Sequence, residues 1–392
     1  MPFWLNGRMS PIPCQRDRFD IPREVAYLNC AYMSPLAREV SDAAGKGMAL
    51  KAAPWTYKPA DFFAHTEAAR SRFAALAGGN PNDFAVVPSV SYGLAVAARN
   101  LPLRHGQDIV VLADQFPSNL YVWREHAVTC GARIVTVTRE AGEAWTPAVL
   151  AAIGPDTGLV AVPNCHWADG GLVDLEAVGA ACRKVGAALV LDLTQSLGAL
   201  PFDVARVQPD FMAAACYKWA MGPYGIGMLY AAPKHHGGTP IENNWMNRGG
   251  SEDFSRLVDY RNDFQPGARR FDMGEKANPP LLMGAAAAID MLLGWGIARI
   301  AETLGARTLA LGEAARGIGL LAPDPATRAP HFLSLGFPGE VPAPLLERLP
   351  ERLAGENVFV SLRGRSLRVT PHLYNDDADC DRLIAVLKTA LG

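Results

Sequence analysis

Lys218 is the residue in this chain whose setting points most directly to chemistry. It is one of only eight lysines, and between Asp210 and Lys234 it is the sole charged side chain, embedded in MAAACYKWAMGPYGIGMLYAAP. An ammonium group there loses hydration, which lowers its pKa and raises the fraction of nucleophilic amine. Such a lysine suits Schiff-base formation with an aldehyde. The plainer alternative is a lysine with a buried stem whose head reaches water. Gly222, Gly225 and Gly227, with Pro223, weigh against it, because they read as a tight turn that brings backbone close to a ligand.

Asp192 is the second candidate. Four apolar residues precede it in ALVLDLTQSLGALP, which places it at the carboxyl end of a buried strand, where open α/β sheets bind ligands. A carboxylate in that position needs a cationic or hydrogen-bond-donating partner; the alternative is a surface aspartate capping a loop. Gln195 adds a neutral hydrogen-bonding group on the same turn. A desolvated lysine and a strand-end aspartate in one α/β domain are the pair that pyridoxal 5'-phosphate (PLP) requires: the lysine forms the internal aldimine, and the aspartate keeps the pyridine nitrogen protonated so that the ring acts as an electron sink.

The elements that must position this pair follow from periodicity. Short apolar runs at 84–87, 109–112, 134–137, 159–162, 188–191, 211–214 and 228–231 alternate with helical patterns such as 66–77, 91–100, 119–129 and 175–185. Runs of this length between amphipathic stretches are strands covered on both faces by helices. The expected architecture is α/β: a three-layer sandwich around a mostly parallel seven-stranded sheet, with a smaller α+β C-terminal domain. The latter is expected from a long helix at 281–300, continued helix at 307–321, strands at 331–336 and within 358–370, and a closing helix at 378–391. The division anticipated is 1–50 as an N-terminal segment packing with the small domain, 51–290 as the large domain, and 291–392 as the small domain.

Composition narrows the function. With 37 basic and 39 acidic residues among 392, the chain carries no electrostatic footprint for nucleic acid or anionic lipid, so a small-molecule partner is favoured. Arg8, Arg16, Asp17 and Arg18 interrupt any signal-peptide pattern, and the most apolar stretch, 281–296, contains Asp290 and is too short to span a bilayer; a cytoplasmic protein without membrane association is expected. Seven cysteines without a CxxC pair suggest neither a disulfide framework nor a zinc site, and no metal is expected. No GxGxxG follows an early strand and no Walker A sequence occurs, which disfavours a nucleotide-binding oxidoreductase.

The sequence resembles the aminotransferase class V family of fold-type I PLP enzymes, which includes cysteine desulfurases, kynureninase and isopenicillin N epimerase-like proteins. Eight segments in the family's order carry the likeness: YLNCAYMSP, VPSVSYGLAVAARNL, DQFPSN, NCHWADGGLVDL, LDLTQSLGALPFDV, ACYKWAMGPYGIGMLY, RRFDMGEKANP and LRVTPHLYND. The resemblance implies that Val90 and Ser91 open a helix that holds the cofactor phosphate, which a helix N-terminus suits. It implies that Phe116 stacks on the pyridine ring, that Gln195 contacts the cofactor hydroxyl, and that Tyr217, in place of a histidine common in desulfurases, donates its hydroxyl to the phosphate. Trp167 stands where many members place an asparagine, with His166 beside it as a further cofactor-binding candidate. Arg368 would clamp the substrate α-carboxylate and Asn29 would line the substrate pocket. A homodimer with active sites at its interface is implied.

Two departures restrict the reaction. The segment VFVSLRGRSLR before and including Arg368 contains no cysteine, so desulfuration through a protein persulfide is disfavoured. Gly274 is followed by Glu275 where relatives have a threonine that meets the partner's phosphate; Glu275 would repel a phosphate unless Lys276, Arg269 or Arg270 compensates. The activity implied is that of a PLP enzyme on an amino acid through an external aldimine, with transamination first. The alternatives are a β-eliminating C–S lyase, an amino-acid epimerase, or a non-catalytic PLP-binding regulatory or assembly protein. The polar segment 235–268 is expected to form a substrate lid or a partner-facing loop.

Overall fold

The computed structural model describes residues 9–140, 142–339 and 341–391; Arg8, one of the charges named above, lies outside them. A short strand β1 (Ala26–Tyr27) precedes the main sheet. That sheet is built from β2 (Phe84–Val87), β3 (Asp108–Leu112), β4 (Arg133–Val137), β5 (Thr157–Pro163), β6 (Ala188–Asp192), β7 (Phe211–Ala215) and β8 (Gly227–Ala231). Its seven strands run in the order β2-β8-β7-β6-β5-β3-β4. Every neighbouring pair is parallel except the two that involve β8.

Each apolar run expected from periodicity is a strand, for the reason given by its composition. Val110, Val160, Leu189 and Met212 bury into the core on one face, while Ile109, Leu159, Val190 and Phe211 bury into the core on the other. Side chains alternate across a strand, so a strand with helices on both sides is apolar at every position. The parallel order leaves the carboxyl ends of β5, β6 and β7 on one edge, and Asp192 is the last residue of β6.

The C-terminal part contains β9 (Leu333–Gly336), β10 (Val358–Phe359), β11 (Ser361–Arg363) and β12 (Ser366–Val369). An antiparallel sheet forms in the order β11-β12-β9, and β1 pairs in parallel with β10. The expected long helix at 281–300 is instead two helices, Pro279–Trp295 and Ile297–Gly317, bent by 74°. The break falls at Gly296, whose φ of 83° lies in the left-handed region that glycine enters freely. Helices Arg38–Ala52 and Ala343–Gly355 were not anticipated; the second carries Pro350 inside it. Among the described residues no single helix is long and apolar enough to cross a membrane.

Candidate active site

A recess of ≈ 210 Å³ opens at the carboxyl ends of the parallel strands, bounded by Pro163, Asp192 and Ala215 from β5, β6 and β7 and by Lys218 from the turn after β7. That turn is closed by Met221 N–H donating to the Lys218 carbonyl (3.0 Å) and Gly222 N–H donating to the Cys216 carbonyl (2.8 Å). Met221 has a φ of 53°, a left-handed conformation that a non-glycine side chain adopts at a cost. The turn following Asp192 lies directly against it. A Cβ on Gly198 would stand 2.3 Å from the Trp219 carbonyl oxygen, so this approach requires glycine.

Gln195 fastens three segments together. Its Nε2 donates to the Ala31 carbonyl (3.1 Å), its Oε1 accepts from Trp219 Nε1 (2.9 Å), and its backbone carbonyl accepts from His331 Nε2 (2.7 Å). Burial lowers the His331 pKa to about 4, so the ring is neutral at ordinary pH and its Nε2–H is the donor. The aspartate turn, the lysine turn and the N-terminal loop are thereby one hydrogen-bonded unit.

Lys218 is only 7% exposed, and its Nζ makes no hydrogen bond or ion pair with any described residue. It lies 5.4 Å from the Phe116 ring centroid and 5.5 Å from that of Tyr217. Burial pushes the amine down to about 8; Asp192 opposes the shift, and Arg368 and Arg363 add to it. Asp192 accepts the Thr194 N–H at 3.0 Å, and burial raises its carboxyl above the ordinary value despite that bond. Lys276 shows the contrast: equally buried, it is tied to Asp272 Oδ2 at 2.7 Å and Asn247 Oδ1 at 2.8 Å. One buried lysine is neutralised by a carboxylate, and the other is held unpaired at the recess.

The recess also carries groups suited to an anion. Helix Val90–Asn100 begins there, and Ser89 caps it by accepting the Tyr92 N–H at 3.2 Å, with Ser91 Oγ 2.9 Å from Ser89 Oγ. The first N–H groups of a helix have no intrahelical acceptor and face whatever lies beyond the terminus. Gln115 adds a buried Nε2 with no partner among the described residues. Asp114, with a φ of 50°, makes the turn that brings Gln115 and Phe116 to the recess. An orphaned amide donor, a helix N-terminus, a buried carboxylate and an unpaired amine around one recess fit a flat group carrying an anionic ester, a basic ring nitrogen and an aldehyde. Removing the cap with Ser89→Ala is expected to cost about 1 kcal/mol of stability and to weaken anion capture at this helix, checked by urea denaturation and by PLP titration.

Of the residues singled out in the sequence, Val90, Ser91, Phe116, Trp167, Asp192, Gln195, Tyr217 and Lys218 all line this recess. Phe116 and Trp167 meet edge-on with centroids 5.5 Å apart, and burial pushes the Tyr217 hydroxyl up to about 12. Trp167 is fixed through Nε1–H to the Asp114 carbonyl (2.6 Å). Arg368 lies in an adjoining outer recess that shares Phe116, Trp167, Tyr217, Lys218 and Tyr224, and it donates to the Trp167 carbonyl at 2.9 Å.

Two of the singled-out residues are outside the lining of both recesses. His166 does not line either recess: Nδ1 is bound to Asp169 at 3.1 Å and Nε2 to the Ala113 carbonyl at 3.2 Å, so its ring is fully used inside the protein. Asn29 is not among the lining residues either; its Oδ1 accepts from Ser361 Oγ at 2.8 Å and ties the N-terminal loop to β11. Ser89, Gln115, Thr194 and Arg363 line the recesses without having been singled out. Only Ser89 carried a local signal, a serine immediately before a helical pattern. Glu275 is exposed with a φ of 54°, and neither Lys276, Arg269 nor Arg270 pairs with it: the first two serve Asp272 and Glu67, and Arg270 donates to the Gly238 carbonyl.

The family model for aminotransferase class-V matches residues 39–361. The chain belongs to the aminotransferase class-V family. It is 28% identical over 318 residues to the uncharacterized aminotransferase YcbU of Bacillus subtilis, covering 79% of this chain and 80% of that one. It is 26% identical over 403 residues to isopenicillin N epimerase of Amycolatopsis lactamdurans, covering 98% of each. Among solved structures, a C-DES mutant with glycine covalently linked to its PLP cofactor superposes with a TM-score of 0.85 at 19% identity, covering 95% of this chain and 99% of that one. The relatives of this chain thus include an aminotransferase, epimerases, kynureninases and cysteine desulfurases, and its α/β sandwich around a mostly parallel sheet is the fold of the superposed structure.

Proposed function

We propose that this protein is a PLP-dependent enzyme that acts on an amino acid, with transamination as its reaction. The observation that carries the reading is the unpaired, buried Lys218 amine that shares with Asp192 a recess continuing to Arg368. When bound, PLP supplies an aldehyde for the lysine and an electron sink for charge developed at the substrate Cα. The chain's own groups do the rest. Asp192, desolvated at the end of β6, holds a proton on a basic ring nitrogen; the N–H groups at Val90 and Ser91 bind the phosphate; Phe116 and Trp167 exclude water; Arg368 orients the α-carboxylate; and Lys218 moves the Cα proton.

The likeness to an epimerase over 98% of both chains supports a second reading, in which the proton returns to Cα. The two are separated by incubating the loaded protein with an amino-acid panel and following keto acid, ammonia and solvent-deuterium incorporation at Cα. Keto acid formed only with an amino acceptor supports transamination. Deuterium at Cα without keto acid replaces it with epimerisation, and ammonia released without an acceptor replaces it with elimination.

The lysine's environment gives a pH signature. Because its pKa is pulled down from 10.5 to about 8, the fraction of free amine rises up to that pH and then levels off. The rate at which apoprotein captures PLP, followed by absorbance, is expected to climb roughly tenfold per pH unit below the inflection and to plateau above it. A rate still rising past pH 10 would show that the amine is hydrated and that burial does not activate it.

A further inference from the structure

The sheet β11-β12-β9 has two chemically distinct faces. Leu362, Leu367, Val369, Leu333 and Leu335 point to one side, where they join the apolar cluster that includes Leu383 and Leu387 of the last helix. The other side carries Ser361, Arg363, Ser366, Arg368 and Ser334, since the register sets Ser361 opposite Arg368, Arg363 opposite Ser366, and Arg368 opposite Ser334. Arg363 and Arg368 are therefore diagonal neighbours on one face, with backbones roughly 7–8 Å apart. Both line the outer recess together with Lys218.

Nothing among the described residues neutralises this pair. Among the described residues neither arginine makes an ion pair, and no acidic residue lines the outer recess. Arg368 donates only to the Trp167 carbonyl, with its buried Nε unpartnered, and Arg363 only to the Leu362 carbonyl at 2.8 Å. Both guanidinium carbons stand 5.8 Å from the Trp167 ring centroid. Burial and Arg363 together lower the Arg368 pKa to about 10, the expected strain of like charges facing one partly enclosed space. A substrate α-carboxylate satisfies one guanidinium and leaves the other facing it uncompensated. A second anionic group on the same ligand satisfies both, and each new charge-assisted bond repays the desolvation already incurred.

We propose that the substrate is an amino acid whose side chain ends in a second carboxylate, with Arg368 holding the α-carboxylate and Arg363 the distal one. The inference rests on the PLP reading for its amino-acid component, but its arginine pair can be tested separately. PLP-loaded protein is titrated with L-glutamate and L-aspartate, and with their uncharged isosteres L-glutamine and L-asparagine, while the cofactor absorbance is followed. Discrimination for the acid over the amide of roughly tenfold or more is expected for at least one pair. The ratio should fall to about one in Arg363→Gln and survive in part in Arg363→Lys. As a readout independent of the cofactor, the melting temperature of unloaded protein should rise more in glutarate than in glutaramate at matched ionic strength, and that difference should vanish in Arg363→Gln. Loaded protein that treats acid and amide alike, or a preference that persists in Arg363→Gln, would overturn the proposal while leaving the cofactor reading intact. Protein that takes up no PLP yet shows the Arg363-dependent glutarate effect would refute the cofactor reading and keep the two-carboxylate site.

Discussion

Replacing Lys218 with alanine is expected to abolish the yellow colour of the PLP-loaded protein and to lower turnover by roughly 10³-fold or more. The expectation follows from the amine's position, buried and unpaired over the recess with its pKa drawn down to about 8. Two results make the test specific. Borohydride treatment of the loaded wild-type protein should fix a pyridoxyl group on the Lys218 peptide, and treatment of Lys218→Ala should fix none. The second buried lysine, Lys276, should stay unlabelled in both, because its ammonium is locked to Asp272 at 2.7 Å and offers no free lone pair. Labelling at Lys276, or undiminished colour in Lys218→Ala, would move the site.

The largest effect on stability is expected at the other buried charge cluster. Asp272 is fully buried; its Oδ2 accepts from Arg70 and from Lys276, each at 2.7 Å, and its Oδ1 accepts the Val86 N–H, also at 2.7 Å. Asp272→Asn leaves two buried cations facing one amide, so a loss of about 3–5 kcal/mol is expected, seen as a melting temperature lower by roughly 5–10 °C. Removing all three charges together, as Arg70→Met, Asp272→Leu and Lys276→Met, should recover much of that loss, because the cost lies in uncompensated charge. A triple variant as unstable as the single one would mean that shape, not charge, holds this region.

The same carboxylate carries a pH dependence of definite sign. Burial would raise its pKa, but Arg70 and Lys276 outweigh burial and hold it below 3.8. Its contribution is therefore present above the unfolded value and is lost as pH falls through the folded one. Asp272 also anchors β2, the strand that leads into the helix beginning at Val90, so Asp272→Asn should raise the PLP concentration needed for half-saturation. The stability and cofactor defects are expected to appear together.

What could be read from the chain alone was what is decided locally. Strands buried on both faces announce themselves as unbroken apolar runs, and Lys218 stands out because its neighbours for many positions in either direction carry no charge. His166 and Asn29 show the opposite case. Their side chains are claimed by Ala113, Asp169 and Ser361, partners that only the fold brings near. In the sequence Lys276 offers itself only as a charge that could offset Glu275, while the guanidinium that shares its carboxylate lies 202 residues from Asp272. Gly296 was hidden in a run rich in alanine and leucine, where one glycine does not disturb a helical pattern enough to mark a bend. Arg363 needed the hairpin register: LRGRSLR shows two more arginines, and only the pairing of β11 with β12 says which of them shares a face with Arg368.

That two-faced sheet also determines how the protein can change. On its inner side every leucine and valine is fastened into the core, so a slip of one position along β11 or β12 would drive arginines into the apolar cluster and leucines into the recess. On the outer side Ser334, Ser361 and Arg368 are themselves buried and bonded, whereas Arg363 is half-exposed and donates only to the Leu362 carbonyl. Descendants of this chain are therefore free to exchange the residue at position 363 one letter at a time, trying new substrates without renegotiating the fold, while length changes are confined to the exposed turn at Gly364 and Arg365. On the proposed reading, the side chain that selects the substrate and those that hold the core stand on opposite sides of β11.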